Sequence, residues 1–134
     1  MVSTQQNTAY KLPLEPGKTL HKALTRLQET WGFTNAEMAK TLHLKANTYG
    51  NWIKSGEIPV GKPPYAPEIE ILVTLIAIFR SLGSMFQKFS DQVLWLETPH
   101  PHFQKASPLQ FAQATCENLF YLRHYLDYAR SRGA

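Results

Sequence analysis

One run constrains this chain more than any other. From Ile69 to Phe79 the residues are apolar almost without break, interrupted only by Glu70 and Thr74. A segment apolar nearly all round has to be enclosed by the rest of the molecule. It is too short to cross a bilayer, which takes roughly 20 apolar residues. Its β-branched residues make a buried strand conceivable, but nothing else in the 134 residues reads as a partner strand. The pattern therefore predicts a central helix buried on most sides. It reaches Leu82, with room to continue through Gly83 to Phe86 or Phe89. Glu68 and Glu70 suit its N-terminus electrostatically. A chain of this length makes one compact domain or two small lobes sharing a core, and the expected class is all-α.

Ahead of that helix the sequence divides at its turn residues. Met1 to Lys18 are polar, carry Pro13, Pro16 and Gly17, and show no sustained period, which predicts a flexible arm over 1–18. Thr19 can cap a first helix whose Leu20, Ala23, Leu24, Leu27 and Trp31 keep the helical spacing, with Gly32 as its stop. Thr34-Asn35-Ala36-Glu37 has the form of a capping box and opens a short helix to about Leu42. After a turn at His43-Leu44, a second helix runs through Lys54 to the terminator Ser55-Gly56. Tyr49, Trp52 and Ile53 face inward at i, i+3, i+4, while Asn47, Asn51 and Lys54 face outward and Lys45 stands at the helix start. Short helix, tight turn and polar-faced second helix predict a helix-turn-helix over 19–66. The proline-rich Ile58–Pro67 stretch cannot be helical and separates it from a helical lobe over 67–134.

The last third supplies a short apolar helix capped by Ser90 and ending at Thr98-Pro99. A turn-rich link through His100-Pro101-His102 follows, then a helix start with Ser107 as N-cap and Pro108 first inside. Glu117 to Arg132 has no internal Gly or Pro. At roughly 100° per residue, Leu119, Leu122, Leu126 and Ala129 share one face, and Tyr121, Tyr125, Tyr128 and Arg132 another. Arg123 and Asp127 are spaced to pair. The leucines read as core. The tyrosine stripe ending in Arg fits either a roof over a small core or a binding face.

Charge and reactive residues narrow the function classes. The net charge is +4. Residues 1–66 hold eight Lys/Arg against four Asp/Glu, and residues 67–134 hold six of each, so the basic excess lies wholly in the first half. Contact with a polyanion is expected there. The single Cys116 precludes an internal disulfide and reads as a small buried filler. No basic-then-apolar leader opens the chain, which predicts a cytoplasmic protein. An enzyme is the weakest reading: there is no Gly-rich phosphate loop and no set of paired acids, and His100 and His102 lack a third metal ligand. No metal, cofactor or small-molecule substrate of its own is expected.

The run Trp95-Leu96, Pro99, Phe103, Ser107-Pro108-Leu109, Leu122-Arg123-His124-Tyr125-Leu126-Asp127, Arg130 and Arg132-Gly133 resembles the C-terminal toxin-binding domain of Xre/MbcA/ParS-type bacterial antitoxins. Phe33-Thr34, Glu37-Met38-Ala39, Leu42 and Leu44 are similar to the DNA-binding half of Xre-type regulators. The resemblance implies an antitoxin of a type II toxin–antitoxin system, its partner a RES-domain toxin that consumes NAD. It implies a toxin contact through Tyr121, Arg123, Tyr125, Asp127, Tyr128, Arg130, Arg132 and the C-terminal Ala134. It further implies autoregulation, with Lys45, Asn47, Thr48, Asn51 and Lys54 on operator DNA and a homodimer on an inverted repeat. The alternative is a helix-turn-helix transcriptional regulator without a toxin partner.

Overall fold

The computed structural model describes residues 15–132. Residues 1–14 of the expected arm, and Gly133 and Ala134 at the other end, lie outside the described residues. The order is α1 (Pro16–Trp31), α2 (Asn35–Thr41), α3 (Ala46–Ser55), α4 (Pro67–Met85), α5 (Phe89–Glu97), a 3-10 turn over Pro101–Phe103, α6 (Pro108–Ala114) and α7 (Cys116–Ser131). The fold is all-α, with no strand among the described residues.

The apolar run forms the middle of α4. Ile69, Ile71, Leu72, Leu75, Ile76, Ile78 and Leu82 are all buried, and Thr74 hides its hydroxyl by donating to the Glu70 carbonyl at 2.8 Å. Gly83 stays within the helix, which ends at Met85. α4 packs most extensively against α7 and also meets α1 and α5. Leu119, Leu122 and Leu126 of α7 are fully buried. They belong to one continuous cluster with Leu24 and Leu27 of α1, Met38 of α2 and Tyr49 of α3.

Side-chain caps set the starts of α2, α6 and α7. Thr34 and Glu37 make the reciprocal capping box at α2, and Ser107 with Gln110 makes a second at α6. Thr115 caps α7 through the Asn118 amide at 3.0 Å, so that helix opens at Cys116, where the half-buried Cys116 thiol sits rather than being fully enclosed. α5 opens at Phe89 after Lys88, without a side-chain cap from Ser90. α1 begins at Pro16, ahead of Thr19. Its extra turn packs against the chain leaving α3: the Gly17 carbonyl accepts from the Ile58 amide at 3.1 Å, and Gly17 is buried. A Cβ at Gly17 would stand 2.6 Å from the Ile58 carbonyl oxygen. Only glycine permits that approach.

Long-range polar contacts tie the helices together. The buried Trp31 indole of α1 donates to Gln92 Oε1 of α5 at 3.0 Å. The His43 ring at the end of α2 meets the Ala112 carbonyl of α6 at 3.0 Å, and Gln113 donates to the Thr41 hydroxyl at 3.0 Å. Ile58 and Val60 of the proline-rich connection are buried in the same core.

Candidate partner-binding surfaces

α7 is anchored by its leucines and turns its other sides outward. Tyr121 and Tyr128 are 47% and 63% exposed, two of the four large apolar side chains left in solvent among the described residues. Tyr125 is half-buried against the core. The tyrosine stripe thus divides: its middle member roofs the core and the outer two do not. Burying Tyr125 while exposing its neighbours follows from position, since Tyr125 meets Phe103 edge-on at 5.2 Å between centroids, and Phe103 is fully enclosed.

The charged residues of the same helix are held in a ladder. Arg123 and Arg130 lie 3.7 and 3.6 Å from the two carboxylate oxygens of Asp127, and the Ser81 hydroxyl of α4 stands 3.4 Å from it. The Arg132 guanidinium sits over the Tyr128 ring at 5.7 Å. Partly exposed pairs of this kind contribute little to stability. They place Arg123 and Arg130 on either side of Asp127 along α7.

His102, noted in the sequence only as lacking metal-ligand partners, is exposed but in contact with α7. The His100 ring accepts from the His102 amide at 3.1 Å, which closes the 3-10 turn and aims the His102 ring back at α7. That ring stacks on Tyr121 at 5.9 Å and leans on Tyr125 at 4.6 Å, with its Nε2 2.9 Å from the Tyr121 hydroxyl. Phe111 of α6 meets Tyr121 edge-on at 5.7 Å. The aromatic face is therefore built from α6, α7 and the loop, through contacts that no local spacing reveals. Gln104 and Lys105, next in the loop, both take left-handed backbone conformations.

On α3, Lys45, Asn47, Asn51 and Lys54 are exposed and Thr48 is half-buried. Tyr49 and Trp52 are buried beneath them. His43 occupies the turn between α2 and α3 with a φ of 57°, a conformation that His accepts more readily than most residues. Tyr49 donates from its hydroxyl to Gln28 of α1, fixing α3 against α1, and burial pushes the Tyr49 phenol well above its ordinary value.

No family model matches the sequence, and no curated protein matches it. Among solved structures, a chain of the crystal structure of the M. tuberculosis MbcT-MbcA toxin-antitoxin complex is similar in fold. The TM-score is 0.57 at 13% sequence identity, and the match covers 81% of this chain and 90% of that one. The likeness is one of fold.

Proposed function

We propose that this protein is an antitoxin that binds and neutralises a RES-type NAD-degrading toxin through α7, and that it autoregulates its operon as a homodimer through α3. The observation that carries the reading is α7 itself. A helix whose leucines are wholly enclosed leaves Tyr121 and Tyr128 in solvent and holds Arg123, Arg130 and Arg132 beside them. Exposed aromatics among arginines have the composition of binding hot spots. The fold likeness to a chain of a toxin–antitoxin complex supports a toxin as the partner. The RES identity rests on the sequence resemblance at Leu122–Asp127 and Arg132-Gly133. In this reading NAD is the toxin's ligand, and the tail of this chain, Ala134 included, covers the toxin's cleft.

Deleting residues 127–134 tests it, because Leu119, Leu122 and Leu126 remain to hold the helix. The truncated protein is expected to stay folded, to lose co-purification with a RES-fold toxin and to leave cellular NAD unprotected. A folded truncation that neutralises at the full-length dose would sink the proposal. For the DNA contact, Asn51→Ala is expected to weaken promoter binding by about 1–3 kcal/mol if it reads a base. Equal affinity for promoter and random DNA before and after the change would leave α3 as scaffold.

A further inference from the structure

Two surface patches outside α3 and α7 match each other. Between α1 and α4 lies a groove of about 360 Å³, its floor made by Ala23, Ile76 and Phe79 and its rim by Lys22, Arg26 and Arg80. Lys22 and Arg26 are one turn apart, a like-charge spacing that costs helix stability. None of the three cations is in an ion pair among the described residues. The groove lies on the flank of α1 away from α3, since His21 and Gln28 occupy the flank that meets Ile53 and Tyr49. It is therefore not part of the surface proposed to read DNA.

The second patch is the outer side of α5. Leu94 is 64% exposed, with Asp91 and Glu97 exposed three residues to either side of it. Neither carboxylate is in an ion pair among the described residues. An apolar side chain between two acids is the complement of an apolar floor between three cations. The elements that carry the two patches are linked inside the fold. Phe79 of the groove packs edge-on against Trp31 at 5.5 Å, and Trp31 is hydrogen-bonded to Gln92 on the inner side of α5. A pair of complementary patches on one molecule is what a two-fold dimer needs, because each copy presents both. The apolar floor disfavours a nucleic acid backbone as occupant, which would satisfy the cations and leave Ile76 and Phe79 unmatched.

We propose that two copies of this chain join by seating α5 of each in the α1–α4 groove of the other, Leu94 on Ile76 and Phe79, Asp91 and Glu97 among Lys22, Arg26 and Arg80. This rests on the homodimer proposed above and names its interface. It uses no residue assigned above to the toxin or DNA contact.

Reciprocal charge reversal tests it on the full chain by sedimentation velocity over a micromolar concentration series. The wild type is expected to form a reversible dimer that weakens as salt rises. One variant carries Arg26→Glu and Arg80→Glu, and the other Asp91→Lys and Glu97→Lys. Each is expected to dimerise at least about tenfold more weakly on its own. An equimolar mixture is expected to recover a one-to-one dimer, since both exchanged contacts are then complementary. All four positions are exposed, and circular dichroism checks that the variants keep their helices. A wild type that is monomeric throughout would overturn the dimer and its interface together. A dimer indifferent to the reversals, or a mixture that fails to recover it, would overturn the interface alone. Growth beyond the dimer would overturn the two-fold exchange.

Discussion

Side chains on one helix have opposite duties here, and that sets what single substitutions do. Leu122 is 1% exposed and Tyr128 63% exposed, although both belong to α7. Leu122→Ala is expected to cost about 2–5 kcal/mol of stability. Tyr128→Ala should change stability by no more than about 0.5 kcal/mol while weakening toxin binding by about 2 kcal/mol if it is a hot spot. Chemical denaturation beside a pull-down separates the two effects; a Tyr128→Ala protein as unstable as Leu122→Ala would assign the tyrosine to the core. Tyr49 makes a different demand. Burial raises its phenol's pKa in the fold, while the unfolded chain titrates near 10. Its contribution is thus complete below about pH 10 and is lost above it, as the unfolded chain releases a proton that the folded one retains. Tyr49→Phe should therefore show a shallower loss of stability above pH 10 than the wild type. At neutral pH it should be less stable by about 1 kcal/mol, for the lost bond to Gln28. Unfolding curves at pH 8 and pH 11 check both; parallel losses would mean that Tyr49 ionises equally in both states.

Elements were legible in the sequence where their causes are local. The Thr34–Glu37 capping box and the Ser107 N-cap are readable from spacing because each cap's partners lie within one turn; that Gln110 completes a second box is added by the structure. The leucine stripe of α7 and the unbroken run of α4 are legible for the same reason, as period and polarity are read along one segment. What was not legible depends on residues distant in the chain. Gly17, between a proline and a lysine, looks like part of a loose arm, yet it lies inside α1 against Ile58. His102 is exposed as a loop histidine should be, but no spacing announces that its ring rests on Tyr121 and Tyr125. Exposure of Leu94 is likewise invisible beside Trp95 and Leu96, which are more enclosed. Gly17→Ala isolates one such cause. Helix propensity alone would favour alanine by about 1 kcal/mol. The 2.6 Å approach to the Ile58 carbonyl instead predicts a loss of about 1–3 kcal/mol, as for overpacking. Thermal unfolding decides by sign: a more stable Gly17→Ala protein would mean that the α1–Ile58 contact yields freely.

For the molecule as a whole, the question is whether 19–66 and 67–134 behave as two units or one. Where these ranges meet, the proline-rich stretch breaks the helix between α3 and α4, but Ile58 and Val60 within it are buried. The core cluster runs without interruption from Leu20 to Leu126. Trp31 and Gln92 bond across that boundary inside it. Neither half has a large core of its own, and small cores are marginal. The two halves should therefore unfold in one transition. The three tryptophans report on this directly, since Trp31 is in α1, Trp52 in α3 and Trp95 in α5. Their indole N–H resonances should disappear at one denaturant midpoint. Leu72 is fully buried at the centre of α4, so Leu72→Ala is expected to cost about 2–5 kcal/mol and to move all three midpoints by the same amount. If Trp52 outlasted Trp95, or if Leu72→Ala shifted only Trp95, the α2–α3 region would be a separate folding unit docked on α4, and a toxin bound at α7 could leave its stability untouched. With one shared transition, binding at α7 stabilises α3 as well, by mass action on the only folded state available.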